Sequence, residues 1–241
     1  MKLYIVGFGC GSRDGMTLQA ENAILESEIV VGYTTYVDII KKFFPEKETL
    51  STGMKKETER VRISLETAKN KTTALICSGD AELYGMAGLA YQLSPEYPDV
   101  EIQVIAGVTA GMSGGALLGS PLTNDFAVIS LSDLLTPWEK IKQRLEFASK
   151  ADFTIVIYNP SSKGRSEHLA NACRILLEYK SPETVCGYVR NIGRDGEEYG
   201  LMTLSELEKF RADMFTTVFI GNSETKIING KMITPRGYMN V

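Results

Sequence analysis

The sequence predicts an α/β protein built as two α/β domains, the first on a mostly parallel sheet and the second on a mixed one. Three observations carry this. Short β-branched runs alternate with amphipathic stretches through the first hundred residues, the rhythm of strand–helix units stacked on a parallel sheet. A run of small residues then intervenes, from Ala106-Gly107-Val108-Thr109-Ala110 through Gly119-Ser120-Pro121-Leu122. Small side chains let two layers approach while Gly and Pro interrupt regular structure, so the boundary is expected here, giving domains 1–110 and 111–241. Beyond it, two strand-like runs face each other across a glycine-bearing turn, the sign of an antiparallel ribbon.

In the first domain, residues 3–6, 29–31, 74–76 and 102–105 read as strands, with helices beginning near Thr17, Tyr36, Glu57 and Ala81. In the second, 126–131 is a strand. Thr136-Pro137-Trp138-Glu139 reads as a capping box with proline at the first helical position, opening a helix to about Ala148. The strand 153–158 and a helix over 164–179 follow, then the ribbon 184–189 and 197–202, joined by Asn191-Ile192-Gly193-Arg194-Asp195-Gly196. Thr203-Leu204-Ser205-Glu206 opens a further capped helix, 216–220 is a core strand, and 226–233 is a hairpin turning at Asn229-Gly230.

Bulk properties narrow the function. With 241 residues and 44% hydrophobic content, the chain has enough apolar material for one large core or two modest ones. A net charge of −4 argues against a protein devoted to nucleic acid or to anionic membrane, whose affinity comes from basic excess. Cys10, Cys77, Cys173 and Cys186 are scattered without a Cys-x-x-Cys pair, and His168 is the single histidine, so no metal site is expected and the thiols read as reduced and cytoplasmic. The N-terminus carries no basic segment ahead of an apolar run, and no apolar stretch is long enough to span a bilayer; a soluble protein is expected.

Ligands of a parallel α/β sheet gather at the carboxyl ends of its strands. The first such loop, Gly7-Phe8-Gly9-Cys10-Gly11-Ser12-Arg13-Asp14-Gly15, resembles a nucleotide cradle until its spacing is counted. A dinucleotide fingerprint needs glycine at its first, third and sixth positions; from Gly7 the sixth is Ser12, and from Gly9 it is Asp14. The next strand ends in Tyr33-Thr34-Thr35 rather than in an acid for a ribose hydroxyl, and no Gly-Lys-Ser/Thr completes a Walker loop. In Ser78-Gly79-Asp80-Ala81, Asp80 either caps a helix beginning at Ala81 or sits where turn amides meet a ligand; both readings are open. Thr109-Ala110, Ser130-Leu131-Ser132-Asp133 and Tyr158-Asn159-Pro160 likewise follow strands. An anionic substrate would call on Lys163, Arg165, Arg190, Arg194 and Arg236, placed in loops beside strand ends. His168 falls inside a predicted helix and reads as a surface histidine, so a Ser-His-Asp or Cys-His hydrolase is excluded.

Several of these segments together, over essentially the whole chain and in order, resemble the tetrapyrrole methyltransferases: Val6-Gly7-Phe8-Gly9-Cys10-Gly11 with Met16-Thr17, Ser78-Gly79-Asp80 with Tyr84-Gly85-Met86-Ala87, Gly107-Val108-Thr109-Ala110, Gly119-Ser120-Pro121-Leu122 and Tyr158-Asn159-Pro160. Ser130–Glu139 (SLSDLLTPWE), Tyr158–Arg165 (YNPSSKGR) and Thr234–Tyr238 (TPRGY) look like the branch that methylates C17 of a precorrin-3 macrocycle in cobalamin biosynthesis. The resemblance implies S-adenosylmethionine as cofactor, folded into a cleft between the two domains, and a homodimer acting on a small-molecule tetrapyrrole. It assigns cofactor contacts to Gly79, Asp80, Ala81, Leu83, Tyr84, Thr109, Ala110, Tyr158, Asn159, Tyr188, Val189 and Thr217. Substrate contacts are expected at Gly9, Cys10 and Gly11, read as a flexible wall of the substrate trough, and at Arg165, Arg194 and Arg236. Asp133 and Arg190 are candidates for proton transfer during ring contraction. The family's loop commonly reads Gly-x-Gly-Pro-Gly; Cys10 replaces that proline, restoring an N–H and loosening φ. Methylation at C11 or C20, a uroporphyrinogen methyltransferase, a diphthamide enzyme, and a tetrapyrrole-binding domain without turnover are the alternatives.

Overall fold

The computed structural model describes residues 1–162 and 164–238; Lys163 and the last three residues lie outside the described part. The chain divides into two compact units, Met1–Ala110 and Gly111–Val241.

The first unit alternates strictly: β1 (Lys2–Gly7), α1 (Leu18–Glu26), β2 (Ile29–Tyr33), α2 (Thr34–Phe43), β3 (Glu48–Thr52), α3 (Glu57–Thr67), β4 (Thr73–Cys77), α4 (Ala87–Leu93) and β5 (Glu101–Ile105). The strands form one sheet in the order β3-β2-β4-β1-β5, every neighbour parallel. Both faces of β1 are covered. Tyr4 and Val6 pack with α1 and α2 through Ala20, Ile24, Val37 and Ile40, while Leu3 and Ile5 pack with α3 and α4 through Val61, Leu65, Ala87 and Ala90. That is why the central strands read as continuous apolar runs rather than alternating ones. The chain leaves β1 toward β2 and leaves β4 toward β5 on opposite sides, so a topological switch point lies between β1 and β4.

Three local expectations are revised. The helix α1 begins beside Thr17, as expected, and Thr17 caps it, accepting from the Ala20 N–H at 3.1 Å, but α2 starts at Thr34 rather than near Tyr36. The strand β3 was not anticipated: it is a sheet edge, its Glu-Thr-Leu-Ser-Thr sequence is polar, and only Thr52 is buried. No helix begins at Ala81. The chain instead makes a tight turn, with Tyr84 at φ +57°, and α4 starts only at Ala87.

Beneath that turn lies Arg60 of α3, 3% exposed. Its Nε donates to Thr52 Oγ1 at 2.8 Å, Nη2 to the Gly53 carbonyl at 2.8 Å and Nη1 to Met86 Sδ at 3.6 Å. The guanidinium ties the end of β3 to the start of α4. Arg60→Ala is expected to cost about 3 kcal/mol, from the orphaned acceptors and the lost packing of the stem, read as a lower urea midpoint.

The second unit contains α5 (Ala110–Leu118, beginning at the boundary), β6 (Gly119–Ser120), β7 (Phe126–Ser130), α6 (Trp138–Lys150), β8 (Thr154–Tyr158), α7 (His168–Leu177), β9 (Val185–Arg190), β10 (Glu198–Thr203), α8 (Leu204–Leu207), β11 (Thr216–Ile220), β12 (Lys226–Ile228) and β13 (Lys231–Ile233). Its main sheet runs β10-β9-β11-β8-β7; β7 and β8 are parallel, whereas β11 is antiparallel to β8 and β9, and β10 to β9. The sheet is mixed, as the sequence predicts. One face packs on α6, α7 and α8 through Ile141, Leu145, Leu169, Ala172, Leu176, Leu204 and Leu207. Against the other lies α5, and here its small residues matter: a Cβ on Gly187 would stand 2.7 Å from Leu118 Cδ1, and one on Gly114 would stand 3.0 Å from the Phe219 ring.

Thr203 and Glu206 form the reciprocal capping box expected for α8. The box expected at Thr136 does not form: Pro137 is the N-cap of α6, with no side-chain cap. The hairpin β12–β13 is present, and β13 also pairs in parallel with β6, a contact across more than a hundred residues that no local signal announces.

Candidate functional site

In the first unit the predicted residues meet at the switch point. Gly9 and Gly79 exchange backbone hydrogen bonds, the Gly9 N–H to the Gly79 carbonyl at 3.0 Å and the Gly79 N–H back at 2.7 Å. The glycine-rich loop is therefore zipped to the turn after β4. Gly9, Cys10 and Gly11 are all buried, and the Cys10 thiol lies 3.7 Å from the Val108 carbonyl. This corrects the expectation of a flexible wall: the loop is a braced strand end. The end of β5 closes against both. A Cβ on Gly7 would fall 2.7 Å from the Ala81 nitrogen and 2.8 Å from the Gly107 nitrogen, and one on Gly107 would drive into the carbonyl oxygens of Gly79 and Gly7.

Asp80 locks this junction. Its Oδ1 accepts from the N–H groups of Glu82 at 2.8 Å and Leu83 at 2.9 Å, and its Oδ2 accepts from Gly107 at 3.0 Å. Partial burial alone would raise the carboxyl's pKa, but the backbone N–H groups of Gly107, Leu83, Glu82 and Ala81 outweigh it and hold the group below the usual range. The capping reading thus holds in a changed form: Asp80 caps a turn and staples β5, rather than starting a helix. With its carboxylate so occupied, what the segment presents to a ligand is backbone, together with the Tyr84 side chain, 53% exposed. Thr109 and Ala110 border the same place, since the position of a Gly79 Cβ lies 3.5 Å from Thr109 Cα and 3.7 Å from the Ala110 nitrogen. Gly79 through Tyr84 and Thr109-Ala110 are therefore brought together within this unit.

In the second unit, β7, β8 and β9 point the same way, so Ser130, Tyr158 and Arg190 all reach one edge of the sheet. Ser130 pairs in register with Tyr158. Just beyond, Asn159, held at φ +52°, donates from Nδ2 to Ser130 Oγ at 2.9 Å. Asparagine tolerates left-handed backbone better than most non-glycine residues, which lets the chain turn sharply at this strand end. The Tyr158 hydroxyl accepts from the Gly111 N–H at 2.6 Å, satisfying an orphan donor in the first turn of α5. Asp133 lies 3.1 Å from His168 Nε2. The expectation of a surface histidine is corrected: the His168 side chain is only 18% exposed and meets Trp138 edge to face at 4.9 Å.

Asp133 and Arg190 are not brought together. Arg190 ends β9, separated from β7 by β11 and β8, roughly 14 Å across the sheet at ordinary strand spacing. It is engaged there by Glu198 at 3.3 Å, by Asp213 at 3.2 Å and by the Arg211 carbonyl at 3.4 Å. Tyr188 donates to Glu198 at 2.6 Å and stacks on Phe210 at 4.4 Å. Successive strand residues face opposite sides, so Tyr188 and Arg190 share the face of α6–α8, while Val189 and its register partner Thr217 share the face of α5. Arg194 sits in the turn after β9, its N–H donating to the Asn191 carbonyl at 2.9 Å. Arg236 is exposed beyond β13, two residues after the buried Thr234.

Sequence reasoning missed Arg60, the pairing of His168, and Lys180, whose ammonium is buried against the carbonyls of Phe153 and Gly221 at 3.1 Å each. Burial pushes the Cys77 and Cys173 thiols up to about 12, which disfavours the thiolate form at neutral pH. Among the described residues, no cluster of His, Cys, Asp and Glu could hold a metal, and no helix is long and apolar enough to cross a membrane.

The chain thus has two α/β units, the first with its strand-end loops meeting at a switch point, and comparison with known proteins defines its class. Residues 2–208 match the tetrapyrrole (corrin/porphyrin) methylases, and the chain belongs to that family. It is 47% identical over 238 residues to a protein of Salmonella typhimurium named probable cobalt-factor III C(17)-methyltransferase, covering 98% of this chain and 99% of that one. It is 46% identical over 240 residues to the cobalamin biosynthesis protein CbiHC of Archaeoglobus fulgidus, covering 99% of this chain but spanning only 53% of that relative's length. Among solved structures, the methyltransferase CobJ superposes with a TM-score of 0.89 at 30% identity, covering 97% of this chain and 99% of that one.

Proposed function

We propose that this chain methylates C17 of a precorrin-3-type macrocycle, cobalt-factor III or its metal-free counterpart precorrin-3B, during the assembly of the cobalamin ring, using S-adenosylmethionine as the methyl donor. It acts as a cytoplasmic homodimer. Family membership over residues 2–208 supports the reaction class, and the Salmonella relative, similar over nearly the full length of both chains, supports the C17 position and a cobalt-bearing substrate. The observation that carries the reading is the junction at the carboxyl ends of β1, β4 and β5, where Gly79–Tyr84 and Thr109-Ala110 meet at a topological switch point.

S-adenosylmethionine, when bound, supplies an electrophilic methyl on a sulfonium sulfur. The residues fit such a group. Gly79, Asp80, Ala81, Leu83 and Tyr84 offer backbone and an exposed ring, with Asp80 fixing their conformation rather than touching the ligand by its carboxylate. Thr109 and Ala110 supply an adjoining wall. Because the macrocycle carbon is itself the nucleophile, these residues chiefly fix distance and line of attack. The many carboxylates of a precorrin call for guanidinium partners, a role for Arg165, Arg194 and Arg236.

The test is an incubation with methyl-labelled S-adenosylmethionine and cobalt-factor III, followed by mass spectrometry and NMR of the product. A single labelled methyl at C17 is expected. A label at C11 or C20, or no consumption of cofactor, overturns the assignment.

A further inference from the structure

The hairpin β12–β13 leaves one edge of the small sheet uncovered. That sheet runs β12-β13-β6, so β12 has a neighbour on one side only. Which backbone groups face the open side follows from parity. The Thr234 N–H donates to the Ser120 carbonyl at 3.0 Å, so Met232 and Thr234 direct their groups toward β6, while Lys231 and Ile233 direct theirs toward β12. The register pairs those two with Ile228 and Lys226. Ile227, between them, therefore points its N–H and C=O outward. The turn agrees: Asn229 at φ +50° and Gly230 at φ +73° make a two-residue type I′ loop, whose flanking pair, Ile228 and Lys231, is the hydrogen-bonded one. Among the described residues, nothing outside the strand pair bonds to the Ile227 backbone.

The side chains leave both faces of this edge apolar. Ile227 is 54% exposed and Ile228 47%, on opposite faces of one strand, where a solvated hairpin would carry a polar residue on at least one. Tyr199, 50% exposed, extends the surface, with the ammonium of Lys231, the register partner of Ile228, 5.1 Å from its ring centre. An open edge with apolar side chains is a template for another strand. The strand that fits is a second copy of β12. Met antiparallel about a two-fold axis at Ile227, the two strands pair Ile227 with Ile227 of the partner subunit, and Lys226 with Ile228 of the partner subunit in both directions. The two central residues then exchange both of their outward hydrogen bonds, no lysine stands opposite a lysine, and each Lys226 stem covers an isoleucine. A contact of this kind is isologous and closes at two chains, so the edge is consumed rather than extended into a fibre. We propose that β12 is the centre of the homodimer interface, joining the small sheets of two chains into one continuous sheet. The proposal rests on the homodimer proposed above and assigns the residues that form it.

Sedimentation velocity is run on the whole chain, on Ile227→Lys, on Ile227→Glu and on an equal mixture of the two variants. The parent is expected to sediment as a dimer. Each variant sets like charges against each other on the axis and is expected to raise the dimer dissociation constant at least about tenfold, whereas the mixture regains dimer because lysine then meets glutamate. Ile227 is exposed and its N–H serves no bond within one chain, so both variants should keep the parent's circular dichroism. A second reading needs no variant: the Ile227 amide of the parent, without a partner in one chain, should exchange slowly in the dimer. A monomeric parent overturns both this interface and the homodimer reading. A dimeric parent with equally dimeric variants, a mixture that stays monomeric, or an Ile227 amide that exchanges fast in the dimer overturns the interface and leaves the homodimer standing.

Discussion

Replacing Asp80 by alanine is expected to destabilise the Met1–Ala110 unit by about 2–4 kcal/mol, because three backbone N–H groups lose their acceptor at once and each orphaned donor costs on the order of 1–3 kcal/mol, reduced where water reaches it. The donors belong to Glu82, Leu83 and Gly107, so the damage spreads from one turn to the end of β5. Amide exchange at these three residues should accelerate more than exchange in β2. Asp80→Asn should lose roughly half as much, since an amide keeps one acceptor oxygen and puts a donor where the other was. The pH dependence has a defined sign. The folded state holds this carboxyl below its usual range, so its stabilisation is complete above the unfolded value near ~3.9 and is lost as pH falls through the lower folded value. Asp80→Asn should therefore flatten the acid limb of the stability curve and leave the neutral plateau lower but level. A plateau unchanged in Asp80→Ala would show that the three hydrogen bonds contribute nothing net.

Gly107→Ala is expected to be the more severe change, at about 4–5 kcal/mol or outright loss of the folded unit, at the far end of single-substitution effects. Its Cβ would occupy the space of the Gly79 and Gly7 carbonyl oxygens. Backbone at the ends of two central strands has no rotamer to yield, so β1, β4 or β5 must shift, and the loop carrying Gly79–Tyr84 with it. Gly88→Ala is the matched control. Gly88 lies within α4, a Cβ there meets nothing within 4 Å, and alanine should stabilise the helix by about 0.5–1 kcal/mol. The same chemical change thus carries opposite signs at two positions. Comparable urea midpoints for the two variants would refute the close-approach account of the junction.

Much of this was legible beforehand for a simple physical reason. Apolar periodicity reports burial, and the strands 3–6, 74–76 and 216–220 are buried on both faces. The Thr203–Glu206 box of α8 was visible because capping is local, satisfied by residues three apart in the chain. Where the outcome hinged on competition between distant groups, local reasoning failed. A helix from Ala81 is reasonable by propensity, but Asp80 was drawn to Gly107, twenty-seven residues on, and the turn that results postpones the helix to Ala87. The edge strand β3 carries no apolar signal because only one end of it is buried. His168 has the sequence neighbours of a surface residue, and nothing in them tells of Asp133 and Trp138 closing over the ring.

The sequence by itself determined the class of fold, the place where the chain divides, the order of the strand-end loops and, through their combined resemblance, the methylase family. Those properties follow from composition, periodicity and motifs read along the chain. Only the tertiary structure decided which of the loops meet: that Gly9 pairs with Gly79, that Asp80 holds β5 rather than a helix, that Arg190 is taken up by Glu198 and Asp213, and that His168 stands against Asp133. Each of these is a pairing of groups far apart in sequence, fixed by which strands become neighbours in the sheet.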